Sequence, residues 1–187
     1  MISYLNSRRI LNKGKIKIKN ETILSVNSLN RVCSKNIYAK FNYPSGDNAA
    51  FDGYAINSND TKNLNRNKSK AFKIIGSISA GKKPLNKRIN KFEAVEIMTG
   101  GIIPKGFDTI IPIEQIIFYP DKKNHKFIVI NKKIDKYNHV RFAGSDFKKK
   151  ELVIKKNTLI LPNHILALKT LGIKNISVKK KINILFF

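Results

Sequence analysis

The chain has 187 residues, which is enough for one large or two small domains with hydrophobic cores. Its 42% hydrophobic residues, with only 10 Gly and 6 Pro, argue against a disordered chain. With 37 Lys and Arg against 12 Asp and Glu, the formal net charge is +25, a field that attracts polyanions. Lys, Asn and Ile are all abundant, so two explanations of the charge stay open: the codon bias of an AT-rich genome, and selected polyanion binding.

The single cysteine, Cys33, excludes an internal disulfide and fits a reducing compartment. Its surroundings predict a small buried hydrophobe rather than a nucleophile. Residues 1–11 are polar and carry Arg8 and Arg9, unlike a signal peptide. No apolar run is long enough to span a bilayer. We therefore expect a cytoplasmic protein.

The first third of the chain gives three weak signals. Residues 2–12 have helical spacing and end at Gly14, which predicts a short helix. Residues 15–19 alternate Lys and Ile, which predicts a strand or the turn into one. Residues 57–70 contain almost no hydrophobes, and we expect them to form an exposed excursion between strands.

The middle of the chain has the pattern of a small barrel or sandwich. Short apolar runs predict strands, and they are separated by turn residues. The runs are residues 72–75, 94–98, 109–119 and 126–130. Residues 121–124 predict the tip of a hairpin between the last two runs.

A helix is predicted over residues 162–171, where Pro162 suits the first turn and Gly172 the position past the end. Residues 151–154 and 176–180 on either side predict strands. Residues 184–187 are apolar on both faces, as in a strand of a parallel α/β sheet. We expect this last strand to open a further domain that the sequence lacks.

Two loops place carboxylate, hydroxyl and glycine among hydrophobes, which indicates a functional site. Residues 47–56 read Asp-Asn-Ala-Ala-Phe-Asp-Gly-Tyr-Ala-Ile, and residues 97–101 read Ile-Met-Thr-Gly-Gly. The second loop continues with Pro-Lys-Gly-Phe-Asp at residues 104–108. Val-Arg-Phe-Ala-Gly-Ser-Asp follows at residues 140–146.

These motifs, in this order, resemble the molybdopterin molybdenumtransferase family (bacterial MoeA and the gephyrin E region). The resemblance covers nearly the whole chain. It implies a mainly β fold with few helices (α+β), made of a β-ribbon first domain and an inserted β-barrel-like domain. The implied boundaries are residues 1–35 with 147–181 for the first domain and residues 36–146 for the insertion. Residues 182–187 would begin a missing α/β molybdopterin-binding domain.

The same resemblance implies a reaction and a set of site residues. The family inserts molybdate into adenylylated molybdopterin with the help of a cation such as Mg²⁺, for which hard oxygen ligands are expected. The implied catalytic residues are Asp52, Thr99 and Asp146. The residues implied to shape the cofactor pocket are Asn48, Gly53, Tyr54 and Gly100. The residues themselves do not identify a metal ligand.

Each acid or hydroxyl also has a structural explanation. Asp52 before a glycine is a common turn opener, and Thr99 before two glycines is an ordinary turn residue. Asp146 can hydrogen-bond its own loop. Asp108 and Glu114 are expected to support the barrel.

The chain departs from the family pattern in ways that bear on activity. Ser145 replaces an acid beside Asp146, and Glu96 stands where the family commonly has Arg. No histidine pair has metal-ligand spacing, and the histidines are expected to face solvent. They are His125, His139 and His164.

The implied partners are a second copy of the chain, as a homodimer, and a separately encoded molybdopterin-binding domain. We expect no activity from the chain alone. Two alternatives stay open: a basic β-barrel module that binds nucleic acid, for which the charge alone implies only nonspecific binding, and a non-catalytic dimerisation or scaffold fragment. Membrane association is not expected.

Overall fold

The computed structural model describes residues 2–14, 17–123 and 126–183. It divides into two compact units, one formed by the residues up to Lys40 and from Lys150 onward, the other by Phe41–Lys149. The predicted boundaries followed residues 35 and 146. The fold is mainly β: within the described ranges, strands predominate and the α-helices are α1 (Tyr4–Lys13) and α2 (Pro162–Thr170).

The first unit is built on two antiparallel ribbons. Strand β1 (Asn20–Leu24) pairs with β12 (Asn175–Lys179), and β2 (Ile37–Tyr38) pairs with β11 (Leu152–Ile154). Together with α2 they enclose a small apolar core, in which Cys33 is fully buried. Burial raises the pKa of the Cys33 thiol, as expected for an inert side chain.

Helix α1 confirms the predicted N-terminal helix, capped by Ser3, whose hydroxyl accepts from the Asn6 N–H at 3.4 Å. Residues 15–19 are predicted to form a strand or the turn into one, and the second alternative agrees with residues 17–19. They lead into β1, which begins at Asn20 opposite Lys179 of β12. Residues 15 and 16 lie outside the described ranges.

The second unit contains a six-stranded sheet in the order β7-β4-β6-β5-β9-β8. Its pairs are antiparallel except β5 with β6, which run parallel. A two-stranded ribbon joins β3 to β10. The bounds of the strands are β3 (Asn48–Ala49), β4 (Gly53–Ile56), β5 (Lys70–Ile78), β6 (Glu93–Ile97), β7 (Thr109–Pro112), β8 (Ile117–Tyr119), β9 (Phe127–Ile130) and β10 (Val140–Arg141).

The sheet is covered by apolar side chains on both faces. Tyr54 and Ile56 of β4 belong to one core cluster, and Ala55 between them belongs to the other. Val95 and Ile97 of β6 join Ala55. Because side chains alternate along a strand, β4 is buried on both sides, and its sequence Gly-Tyr-Ala-Ile is a continuous apolar run.

Three predictions for this unit need correction or restriction. Residues 109–119 form two strands rather than one, since Pro112, which has no N–H, ends β7 before the 3₁₀ turn Ile113–Gln115. Residues 57–70 are not simply exposed: Ser58, Thr61 and Leu64 are buried, and Leu64 joins the core. The hairpin β8–β9 is confirmed, although Asn124 at its tip lies outside the described residues.

The chain end predicted to be a strand falls mostly outside the described ranges, at residues 184–187; Ile182 and Asn183 are not in a strand. Within the described residues, the helices are too short and too polar to cross a bilayer.

Candidate functional site

The two motif loops lie side by side in the second unit. The Ala49 N–H donates to the Gly101 carbonyl at 3.0 Å, and the Gly100 N–H donates back to the Ala49 carbonyl at 2.9 Å. These reciprocal bonds fix the turn after β6 against the segment that leads into β4. The structure therefore brings Asp52 and Thr99, which are far apart in the sequence, to one surface.

Asp52 and Thr99 are joined by two short hydrogen bonds. Asp52 Oδ1 accepts from the Thr99 N–H at 2.6 Å and from Thr99 Oγ1 at 2.7 Å. These bonds, the hydroxyl bond first, lower the pKa of the Asp52 carboxyl, because they stabilise its ionised form. Both residues are exposed. Asp52 Oδ2 has no hydrogen-bond partner among the described residues, so it faces solvent as a free carboxylate oxygen.

Close packing requires glycine at Gly53, which follows Asp52, and at Gly101, which lies in the turn of Thr99. A Cβ on Gly53 would lie 2.0 Å from the Ile111 carbonyl oxygen of the neighbouring strand, and a Cβ on Gly101 would lie 2.8 Å from Ile97 Cγ1. Gly100 has φ +80°, a conformation that L side chains rarely adopt. The glycines of these motifs therefore allow neighbouring backbone segments to pack closely at the base of the site.

Two predicted pocket residues are buried rather than open to a ligand. Tyr54 is fully buried in one core cluster of the sheet, and this burial, followed by the nearby Glu96, raises its pKa to about 12. It forms core and does not line the site, because its side chain leaves β4 on the core side. Asn48 is 8% exposed, and its Oδ1 has no partner within the described ranges.

The third predicted acid, Asp146, pairs with Arg141. Arg141 Nη2 donates to both carboxylate oxygens of Asp146 at 2.6 Å. Arg141 lies opposite Asn48 in the ribbon β3–β10, so the ion pair sits on the loop that leaves this ribbon. Ser145, which replaces an acid of the family pattern, has only a long contact to Asp146, at 3.4 Å.

This arrangement agrees with the outcome of comparisons with known proteins. A model of the MoeA N-terminal region, domains I and II, matches residues 2–172. The chain belongs to the MoeA N-terminal region family. The motifs that carry the resemblance are those that the structure assembles in the second unit.

Relatives of the family extend well beyond this region. The molybdopterin molybdenumtransferase of Staphylococcus aureus (strain Mu50) is 32% identical over 160 residues, which cover 86% of this chain and 37% of that protein. The enzyme of the same name from Bacillus subtilis (strain 168) is 28% identical over 161 residues, with the same coverage. The chain thus spans little more than a third of the curated relatives that it matches.

A solved structure supports the fold directly. The crystal structure of the molybdopterin biosynthesis MoeA protein from Pyrococcus horikosii superposes with a TM-score of 0.82 at 28% identity, covering 92% of this chain and 43% of that one. The predicted α+β fold of a MoeA N-terminal region is confirmed.

Sequence reasoning missed one residue that holds these loops together. Asp47 Oδ1 accepts from the Ala143 N–H at 2.9 Å, and the Asp47 carbonyl accepts from Ile103 at 2.9 Å. Asp47 therefore ties the loop of Arg141 to the segment after Thr99. Its position at the start of the first motif was the available signal. It also lines a groove of about 500 Å³ beside Pro104.

The remaining polar residues act structurally. Asp108 accepts from the Ser58 N–H at 2.8 Å and from its hydroxyl at 2.9 Å, which agrees with the predicted supporting role. His164 Nδ1 accepts from the Leu161 N–H at the start of α2. His139 is stacked edge-on against Phe51, with ring centroids 4.9 Å apart. The described residues contain no cluster of three His, Cys, Asp or Glu able to hold a metal ion by themselves.

Proposed function

We propose that this chain provides the N-terminal part of a molybdopterin molybdenumtransferase site, which inserts molybdate into adenylylated molybdopterin in molybdenum cofactor biosynthesis. The observation that carries the proposal is the Asp52–Thr99 contact, which places an ionised carboxylate on an exposed surface between the two family motifs. The names of the S. aureus and B. subtilis relatives support the reaction. Since the chain spans 37% of their length, the rest of the site is supplied by the remaining part of such an enzyme.

In this proposal Asp52 is the group that meets the substrate and Thr99 holds it in place. An ionised carboxylate can only accept hydrogen bonds. The single hydroxyl hydrogen of Thr99 is therefore used in the hydrogen bond that Oγ1 donates to Asp52. Thr99 therefore does not donate to a substrate oxyanion while the contact is intact. Its role is to hold the Asp52 carboxylate in place through Oδ1, which leaves Oδ2 without a partner among the described residues.

The residues fit a Mg²⁺ ion of the kind that the family implies. Mg²⁺ prefers oxygen ligands, keeps several waters and is often bound by one or two carboxylates together with substrate phosphates. Asp52 offers one carboxylate oxygen of this kind, and a larger acidic cage is not needed. When bound, the ion would neutralise phosphate charge during cleavage of the nucleotide linkage. The chain's contribution is then to present Asp52 Oδ2, ionised at neutral pH.

Asp146 has a different part in the proposal. Its two contacts with Arg141 neutralise it and fix the loop beside the ribbon β3–β10. We assign it to positioning this loop, together with Asp47. Asn48 and Gly53 shape the base of the site, and Gly100 provides the turn that directs Thr99 toward Asp52.

The partners of the proposal are a second copy of the chain and a molybdopterin-binding domain that completes the site. A cytoplasmic location fits a chain whose one cysteine is a buried thiol.

Replacement of the matching N-terminal region of the S. aureus relative by this chain tests the proposal in cells that lack their own transferase. The wild-type chimera is expected to restore a molybdenum-dependent enzyme activity, and Asp52→Asn is expected to abolish it. Asp135→Asn is the matched control, since that carboxylate is 86% exposed on the same unit and, within the described ranges, its ion pair is with Lys133. Failure of the wild-type chimera, or equal rescue by Asp52→Asn, would contradict the proposal.

A further inference from the structure

A strongly basic loop follows β5 and leads to β6. Residues 81–91 contain five cationic residues and no Asp or Glu. All five are exposed: Lys82, Lys83, Lys87, Arg88 and Lys91. With 37 Lys and Arg in 187 residues, a stretch of this length would hold about two cations on average, so the loop is a candidate for anion binding.

The loop is fixed to the sheet rather than projecting freely. Leu85 and Ile89 are partly buried and pack against the core cluster on one face of the sheet. At the far end, the Glu93 carboxylate accepts from the Asn90 N–H at 2.8 Å and from its side-chain amide at 3.2 Å. These anchors hold the cationic side chains over a defined part of the surface, which reduces the entropy lost when an anion binds.

The start of the loop touches the turn that carries Thr99. The Met98 N–H donates to the Ile78 carbonyl at 3.0 Å. Ala80 Cβ lies 3.7 Å from the position that a Cβ on Gly100 would take. The first two cations of the loop, Lys82 and Lys83, follow Ala80 within three residues. The start of the loop therefore adjoins the turn that carries Thr99.

The loop cations are not neutralised by the protein. The ion pairs found in the described part of the chain involve Arg31, Lys133 and Arg141, and none involves residues 81–91. Lys87 alone faces an acid, Glu93, whose pKa it helps to lower after the hydrogen bonds from Asn90. Neighbouring like charges repel each other, and a bound polyanion relieves this repulsion.

We propose that the loop of residues 81–91 binds the phosphate groups of the nucleotide-linked substrate beside Asp52. This inference rests on the proposed function and names the ligand chemistry of that site: an organic pyrophosphate. Asp52 is itself negative and repels phosphate, so phosphate binding at this surface needs cations nearby. Lys82, Lys83 and Arg88 provide them from a loop whose frame is already fixed.

The test is a titration of the purified 187-residue chain with inorganic pyrophosphate. The salt concentration is about 0.15 M, which screens distant charges. Binding is followed by amide chemical shifts in two-dimensional NMR. The test variant is Lys82→Ser, Lys83→Ser, Arg88→Ser. The matched control, Lys62→Ser, Arg66→Ser, Lys68→Ser, removes the same charge from exposed positions before β5. The two sets lie in different segments of the second unit, the control set before β5 and the test set after it.

The loop variant is expected to weaken pyrophosphate binding at least tenfold, and the control is expected to stay within twofold of the wild type. The largest shifts should fall on residues 81–91 and on the Thr99 turn. Equal weakening by both variants would show that only the overall charge attracts the anion. That result, shifts located elsewhere, or no saturable binding by the wild type would overturn the proposal.

The outcome is separable from that of the proposed function. If the loop variant binds pyrophosphate normally while the Asp52→Asn chimera is inactive, the loop inference fails and the function stands. If pyrophosphate binds at the loop while the Asp52→Asn chimera remains active, the function fails and the anion site stands.

Discussion

Substitution of Gly53 by alanine should destabilise the second unit strongly. Gly53 lies in β4 between two strands, opposite Ile97 of β6 and Pro112 of β7. A Cβ at this position would lie 2.0 Å from the Ile111 carbonyl oxygen, and 3.0 Å from the Pro112 Cα. The obstacle is backbone, which cannot rotate away as a side chain can. Strands β4 and β7 must therefore separate by more than 1 Å, well beyond the play of a close-packed sheet.

The size of the effect follows from two contributions. Overpacking of a well-packed core typically costs about 1–3 kcal/mol. Separation of the strands also weakens backbone hydrogen bonds such as Ile113 N–H to the Asp52 carbonyl, each worth about 1 kcal/mol. We expect Gly53→Ala to lower the free energy of unfolding by about 3–4 kcal/mol. With a urea m-value of about 2 kcal/mol/M, the unfolding midpoint should fall by about 1.5–2 M.

Urea unfolding followed by circular dichroism and tyrosine fluorescence measures this change, because the fully buried Tyr54 lies beside the substitution. Gly81→Ala is the control: Gly81 has φ +76° but open space around it, so only backbone strain of about 1 kcal/mol is expected. A loss below about 1 kcal/mol for Gly53→Ala, or an equal loss for both variants, would refute the close-packing explanation.

Two further predictions concern the buried excursion and the site carboxylate. Leu64→Ala should lower the free energy of unfolding by about 2–3 kcal/mol, because Leu64 is a core leucine. The control Leu166→Ala, at a position 68% exposed, should change it by less than about 0.5 kcal/mol. Thermal unfolding of the two variants measures both changes. Thr99→Val should raise the pKa of Asp52 toward its ordinary value of 3.8, which a carbon-13 NMR titration of the carboxyl measures. The pKa of Asp52 is lowered only in the folded state, so its ionised form stabilises the fold. This stabilisation is fully present above about pH 4 and is lost as the pH falls through the folded-state pKa. The difference in stability between the wild type and Thr99→Val should therefore shrink in that range. An unchanged pKa of Asp52 would show that the hydroxyl bond is not formed in solution.

The strands of the sheet were predictable from short, mainly apolar runs bounded by turn residues, as in residues 94–98 and 126–130. The helix α2 was predictable because Pro162 and Gly172 mark both of its ends. Pattern alone did not reveal the break at Pro112, since apolar residues continue on both sides of it. The turn there depends on where the neighbouring strand ends.

Tertiary contacts explain the other differences. Leu64 stands alone in a polar segment, and only the folded sheet provides the core that it enters. Tyr54 belongs to a site motif, yet its place on β4 directs the side chain into the core. The family resemblance assigned Asp52 and Thr99 to one site, whereas the hydrogen bond that Thr99 Oγ1 donates to Asp52 Oδ1 required the structure.

The central claim is that Thr99 acts by holding an ionised Asp52 in position for the reaction. The most direct test is the initial rate of molybdate insertion by the purified chimera described above, measured for Thr99→Ser and Thr99→Val. Thr99→Val removes the hydroxyl bond that holds the Asp52 carboxylate and should slow insertion by roughly tenfold or more. Thr99→Ser keeps the hydroxyl and should stay within about threefold of the wild type. A Thr99→Val enzyme as fast as the wild type, or a Thr99→Ser enzyme as slow as Thr99→Val, would contradict the claim.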